Sequence, residues 1–234
     1  MSQNSIFLLL TILVVPAYCM MWMPQKPPME CPVKECPVKE CPVKPCPGES
    51  NGNCTKFGDG WKNFTRPPGV EWCMKIFYGN SISQPTAEQR CQAQGATLSG
   101  LQNQMESQYV VSTVTRHIYP QTGSVWVGMA RRPFCLEGLT RDCTWATSFQ
   151  WTDKSATGTD GFGWAANRNS DGNVTIQPDN EGRTQHCGVL TVSYQGSVEG
   201  FQTGLLDDVA CDVDFIKMDK KERDIKAYIC GKKP

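Results

Sequence analysis

The sequence predicts an α+β domain that is cross-linked by disulfides and preceded by an extended stalk. Two helical patterns open the globular part and short strand patterns follow them, which is typical of an α+β arrangement. The 234 residues include 13 cysteines, and so many cysteines are typical of a secreted domain held by disulfides. Ahead of the helices lies a repeat rich in proline and cysteine, which predicts the stalk.

The N-terminal segment is typical of a signal peptide. Residues 1–19 contain no charged side chain, and an apolar run at 6–15 is followed by Pro16 and a short Ala-Tyr-Cys segment that ends at Cys19. We expect residues 1–19 to be removed, which leaves 12 of the 13 cysteines. An uncleaved anchor is the alternative, but the apolar span is barely long enough for a bilayer. The sequence thus favours a secreted, extracellular protein without stable membrane insertion.

Residues 20–53 are interpreted as the stalk, because this segment contains the proline-rich repeat "ECPVKECPVKECPVKPCPGE" and almost no aromatic residues after Trp22, so it cannot bury a core. Each repeat cysteine precedes a proline, which favours an extended backbone. Cysteines five residues apart would then be separated by about 15 Å, although a disulfide requires Cα atoms within about 7 Å. Disulfides between chains, and hence a covalent homo-multimer, suit this geometry better than pairs within a chain or a metal site. The candidate interchain cysteines are Cys31, Cys36, Cys41 and Cys46.

Residues 54–234 form the predicted domain and begin with two helices. The first is expected from about Pro85 to Gln94, with an early proline and with Gly95 after its end. The second opens at Asn103, and Glu106 three residues later suggests a capping box. An inward stripe on this second helix is predicted for Val110, Val111, Val114 and Ile118.

Short strands are expected after the helices, at residues 124–129, 149–153, 187–192 and 227–230. The loop at 154–186 is long enough to suggest a binding surface or a disordered insertion. The charged run at 217–226 mixes both signs and is interpreted as a solvated turn before the last strand.

Seven motifs in this domain occur in the order found in one family. They are "WCMKIF", "RCQAQGATLSGLQNQMES", "WVGM", "FQWTD", "QPDN", "LLDDVAC" and "AYICGK". On these motifs, residues 54–231 resemble a C-type lectin-like domain of the secreted, nematode-type branch. The resemblance implies the C-type lectin-like fold, with two helices, small antiparallel sheets and a long loop region.

The resemblance also implies the disulfide pairing, which spacing alone leaves open among about 105 arrangements of eight cysteines. The implied pairs are Cys54–Cys73, Cys91–Cys230, Cys135–Cys143 and Cys187–Cys211.

Sugar-binding members of the family hold Ca²⁺ with oxygen ligands from a long-loop motif, a residue before the next cysteine and a pair on the following strand. By resemblance, the metal ligands here would be Gln177, Asp179, Gln185, Asp207 and Asp208. A galactose-type glycan would contact Gln177, Asp179, Asp207 and Asp208. Carboxylate and amide oxygens are suitable calcium ligands.

Three departures weaken this calcium hypothesis. Asp207 stands where the family has Asn, Gln185 where it usually has Glu, and Glu181 where a galactose binder has an aromatic residue. Asp and Asn in loops are also common turn formers. The alternative interpretation is therefore an ordinary polar loop without a metal.

Composition and motifs exclude several other functions. With 23 basic and 23 acidic residues, the chain has no general attraction for nucleic acid or anionic membranes. The two histidines, His117 and His186, lie in no zinc or Ser-His-Asp pattern, and we expect no enzymatic activity. Asn53, Asn63 and Asn173 are predicted glycosylation acceptors.

The favoured function is that of a secreted, lectin-like protein that recognises a glycan or glycoprotein, with a role in recognising microbes. The alternative is a calcium-independent module of the same fold that binds protein or has a structural role, without sugar binding.

Overall fold

The computed structural model describes residues 54–168 and 174–234. The predicted signal peptide, the stalk with its four cysteines, and the acceptors Asn53 and Asn173 lie outside the described residues. The helices are α1 (Gln84–Gln92) and α2 (Gln104–Ile118). The strands are β1 (Lys62–Arg66), β2 (Val70–Tyr78), β3 (Thr97–Leu98), β4 (Gly123–Arg131), β5 (Phe149–Trp151), β6 (Ala166–Arg168), β7 (Val174–Ile176), β8 (Cys187–Val192), β9 (Ser197–Val198), β10 (Phe201–Gln202), β11 (Leu206–Val209) and β12 (Ile225–Lys232). Within these ranges, neither helix has the length and apolar character needed to cross a bilayer.

Most strands join one twisted sheet in the order β1-β2-β12-β4-β8-β11, with β3 beside β12 and β5 beside β4. The four predicted strands are confirmed as β4, β5, β8 and β12. β12 runs parallel to β4, whereas the other pairs are antiparallel. Two separate hairpins, β6–β7 and β9–β10, lie in the loop region and were not predicted, since such short strands leave no clear alternation.

Both helices begin at capping residues. The Ser83 hydroxyl accepts a hydrogen bond from the Thr86 N–H (3.3 Å), and Asn103 Oδ1 accepts from the N–H groups of Met105 (3.0 Å) and Glu106 (3.2 Å). In α2 the predicted inward stripe is confirmed, since Val110 and Val114 are fully buried and the other two members pack against the core.

Only half of the predicted capping box forms, namely the hydrogen bond from the Glu106 N–H to the Asn103 side chain; the Glu106 side chain has other partners. Its carboxylate accepts from the guanidinium of Arg66 at 2.9 and 2.8 Å and from the Gln102 N–H at 2.7 Å, and not from Asn103. Arg66 also donates to Asp153 at 2.9 Å, and its side chain is fully buried. A buried charge is stable only with such partners, so this network ties β1 to α2 and to the segment after β5.

The described residues contain four disulfides, and they are the pairs that the resemblance implies. Cys91–Cys230 joins α1 to β12, and Cys187–Cys211 joins the start of β8 to the segment after β11. The other two are Cys54–Cys73 and Cys135–Cys143. The remaining predicted glycosylation acceptor in the described ranges, Asn63, lies on β1, where its amide donates to Glu71.

Candidate ligand-binding site at the long loop

The predicted site residues come from the loop after β7 and from β11. The motif at 177–179 follows β7 directly and contains a cis peptide bond before its proline. Gln185 lies shortly before β8, and β11 pairs with β8 so that Asp207 is opposite Val189 and Asp208 is opposite Gly188. Because successive strand residues point to opposite faces, the two aspartates have different surroundings.

Asp208 anchors the loop to the sheet. Its carboxylate accepts from the guanidinium of Arg131, the last residue of β4, and both side chains are fully buried. The same carboxylate accepts from the backbone N–H groups of Asp179 and Asn180, each at 3.0 Å. Arg131 Nε also donates to the Gln185 carbonyl at 2.8 Å. One buried ion pair therefore fixes the backbone at the end of the motif and in the segment that follows it.

Asp207 has a second arginine partner. Arg223 Nη2 donates to its carboxylate at 2.5 Å, and both side chains are almost completely buried. The Arg223 guanidinium carbon lies 3.5 Å from the ring centroid of Phe201 and 4.8 Å from that of Phe215. Two aromatic rings and one carboxylate thus hold this cation in place.

The remaining predicted ligands are engaged in the loop's own hydrogen bonds. Gln177 Oε1 accepts from the Asp179 N–H (3.1 Å), and Asp179 Oδ1 accepts from the Glu181 N–H (3.2 Å). Gln185 Oε1 accepts from the same Glu181 N–H at 2.8 Å. These oxygens stabilise a compact turn, which agrees with the alternative interpretation of the loop as turn chemistry.

Burial dominates the electrostatics of both strand aspartates. It raises the pKa of Asp208 to about 7 and that of Asp207 to about 6, against the lowering effects of Arg131 and Arg223. Neighbouring Asp179 raises both pKa values further. Burial also lowers the pKa of Arg131, although the charge of Asp208 opposes that change. The site therefore depends on close charge compensation.

A cleft of about 280 Å³ brings four of the five predicted residues together, namely Gln177, Asp179, Gln185 and Asp207. Asp208 is not part of its wall. Other side chains that line it include Glu181, Glu199, Phe201, Lys220 and Arg223. The ionisable groups in the wall comprise four carboxyls and two cations, so the cleft has an acidic excess.

This arrangement does not fit a calcium ion. Calcium takes about 6–8 oxygen ligands, whereas each strand carboxylate here already pairs with a guanidinium. Across residues 54–168 and 174–234, no group of three or more Asp, Glu, His and Cys side chains is placed to hold a metal. Calcium binding by the five predicted residues stays a prediction, and their surroundings argue against it.

Sequence reasoning missed both arginines. Arg223 and Asp224 are each 3% exposed and Ile225 is fully buried, so interpreting all of 217–226 as a solvated turn is wrong for these three residues. The available signal was the motif "LLDDVAC", in which two consecutive aspartates stand among apolar residues, because aspartates buried there would need cationic partners. It does not identify Arg131 or Arg223, since their partners lie 77 and 16 residues away in the chain.

Comparison with known families gives one match. A family model described as C-type lectin domain-containing protein 141/158 matches residues 64–233. Comparison with curated proteins gives no significant match.

Several solved structures are similar at low identity. The mouse scavenger receptor C-type lectin carbohydrate-recognition domain is 21% identical, with a TM-score of 0.40, over 75% of this chain and 96% of that chain. The C-type lectin CEL-I from Cucumaria echinata is 18% identical (TM-score 0.42; 74% and 94% covered). Herring type II antifreeze protein is also 18% identical (TM-score 0.42; 76% and 98% covered). Nothing about the ligand of this chain follows from these similarities.

Proposed function

Since the chain belongs to the C-type lectin domain-containing protein 141/158 family, we propose that its lectin-like domain binds glycans in the cleft at residues 177–179 without calcium. The observation that carries the proposal is the pairing of both strand aspartates with buried arginines. Arg131 and Arg223 supply the positive charge that a calcium ion would otherwise supply.

The electrostatic reason is repulsion between cations. A calcium ion bound by Asp207 or Asp208 would lie close to a buried guanidinium, and like charges repel strongly where water is excluded. Displacing either arginine would in turn leave it buried without its carboxylate partner, which is costly. Direct binding of a ligand to the cleft avoids both penalties.

The ligand class follows from the chemistry of the wall. Asp179, Glu181 and Glu199 offer carboxylate oxygens to sugar hydroxyls, which act as hydrogen-bond donors. The acidic excess favours neutral or amino sugars over sulfated or sialylated ones. The volume lies near the lower limit of about 300 Å³ for ligand pockets, which suits a terminal sugar residue. A galactose-type residue is the first candidate, from the order Gln-Pro-Asp.

We also propose the setting in which this domain acts. Residues 1–19 would direct secretion, and Cys31, Cys36, Cys41 and Cys46 would join stalks into covalent multimers. Clustering would raise the avidity of a weak sugar site by about 10²–10⁴-fold. Such avidity suits a role in recognising repetitive microbial surfaces.

The test separates calcium dependence from glycan binding. Calcium at 100 times its dissociation constant stabilises a folded protein by about 2.7 kcal/mol, equivalent to about 5–10 °C for a domain of this size. We expect no such shift between calcium and chelator in thermal unfolding. We expect binding to a glycan array that persists in chelator.

Two variants test whether the glycan binds in the cleft at residues 177–179. Asp179→Asn keeps the side-chain shape and should abolish array binding, whereas Asp142→Asn, in an exposed surface ion pair, should leave it unchanged. A chelator-reversible stabilisation together with chelator-sensitive binding would overturn calcium independence. An array without binding in either buffer would overturn the glycan proposal and favour a protein ligand.

A further inference from the structure

A larger cleft of about 540 Å³ lies beside the β9–β10 hairpin. Its walls come from the residues after α2 (120–122), the segment that contains β9 (194–199) and the segment that leads into β12 (221–226). Glu199 lines both this cleft and the candidate site. We name it the tyrosine cleft, after Tyr194 in its wall.

A hollow of about 380 Å³ adjoins the tyrosine cleft, because Gln121 and Lys226 line both. Its other side chains include Tyr78, His117 and Tyr119. The two together form an elongated groove rather than a pocket for a single small molecule.

Exposed aromatic rings follow this groove. Tyr119 and Tyr194 are 67% and 44% exposed, and their ring centroids lie 5.2 Å apart in an edge-to-face arrangement. Tyr78 is 39% exposed and stacks on His117, with the two ring centroids 3.6 Å apart. Clusters of exposed apolar rings on a soluble domain indicate interaction sites. Tyrosine supplies a rigid ring with one polar end, which suits a ligand that is both apolar and polar.

Amides and balanced charges surround the rings. Gln195 donates to the Tyr194 hydroxyl at 2.8 Å, which orients that phenol, and Gln121 also lines the groove. The charged side chains of the tyrosine cleft are Glu199, Lys221, Glu222 and Lys226. These two anions and two cations cancel, so nothing in the wall selects a strongly charged ligand.

We propose that the groove binds a neutral oligosaccharide along its length, at a site separate from the cleft at 177–179. Sugar rings have C–H faces that pack against the negative face of an aromatic ring. Their hydroxyl rims can pair with the glutamine amides and with the charged groups around them. An elongated, uncharged and aromatic groove matches a chain of such rings better than it matches an anionic glycan.

The test titrates the whole chain with neutral hexasaccharides of glucose and of N-acetylglucosamine in chelator, with a heparin-derived hexasaccharide as the anionic comparison. Isothermal titration calorimetry reports affinity. Tyr119→Ala and Tyr194→Ala should each weaken neutral binding about tenfold. Tyr194→Phe should retain most of it, because the ring face is kept. Both tyrosines are exposed, so the variants should fold, which circular dichroism checks.

Two controls locate the binding. Phe134→Ala removes an aromatic ring that is 69% exposed elsewhere and should leave affinity unchanged. Asp179→Asn disables the cleft at 177–179, so the binding that remains in this variant reports the groove, and the tyrosine substitutions should still weaken it. Loss of binding with Asp179→Asn but not with the tyrosine variants would place the sugar in the other cleft and overturn the proposal. Absence of neutral binding, or tighter binding of the anionic hexasaccharide, would also overturn it.

Discussion

Replacing Arg131 by methionine tests the ion pair that holds the loop. Methionine fills much of the arginine volume but removes the cation, so Asp208 is left buried with backbone donors alone. Both side chains are fully buried, so solvent does not screen the interaction. Removing one member of a buried pair costs about 3–5 kcal/mol, which corresponds to about 6–20 °C of thermal stability here.

The cost should depend on pH. Without Arg131, a lowering influence on the Asp208 pKa is lost, and the pKa rises above its value of about 7 in the native chain. A folded-state pKa above the unfolded one gives stability that is lost as pH rises through the folded value. Urea unfolding of Arg131→Met should therefore show a larger loss at pH 9 than at pH 6.

A double-mutant cycle with Asp208→Asn provides the decisive measurement. If the pair interacts as described, the double variant loses less stability than the two single variants together. Additive losses, or a cost for Arg131→Met as small as that for Arg141→Met, would refute the reasoning. Arg141 is the matched control because its pair with Asp142 is solvent-exposed, and such pairs contribute about 0–1 kcal/mol.

Two further predictions concern the sheet and its charges. The raised pKa values of Asp207 and Asp208 mean that the folded chain binds more protons than the unfolded chain between about pH 4 and 7. Their contribution makes the native protein more stable to urea at pH 5.5 than at pH 7.5, and Asp207→Asn with Asp208→Asn should reduce that difference; an unchanged difference would contradict the assignment. Gly128→Ala would place a Cβ 2.1 Å from the Leu98 carbonyl oxygen and should cost at least about 1–3 kcal/mol. Gly163→Ala, whose Cβ meets the flexible Leu205 side chain at 3.3 Å, should cost less in the same thermal unfolding assay, and equal costs would contradict the packing described.

Local signals explain why the helices were predictable. Capping residues such as Asn103 act on groups two or three residues away, and the spacing of buried positions repeats within each helix. The partner of the Glu106 carboxylate was not predictable from the sequence, because that partner, Arg66, lies 40 residues away in the chain. The parallel pairing of β12 with β4 is also a long-range property, which local patterns do not encode.

The candidate site likewise has features that could be predicted from the sequence and features that could not. The resemblance brought Gln177, Asp179, Gln185 and Asp207 into one group, and one cleft contains all four. It did not predict Arg131 or Arg223, because the family pattern describes the residues that bind a metal. The pattern does not include the arginines that pair with the two strand aspartates in this chain. Burial of the strand carboxylates makes these arginines necessary, and burial becomes visible only once the chain is folded.

The disulfide between Cys91 and Cys230 affects how the domain withstands proteolysis. These cysteines are 139 residues apart, so most of the domain, including both clefts, belongs to one covalent ring. A single cut anywhere in that ring opens the chain but releases no fragment. A nicked molecule would keep its mass on a non-reducing gel and separate into two pieces only after reduction, so cleavage of one exposed loop would not detach either cleft.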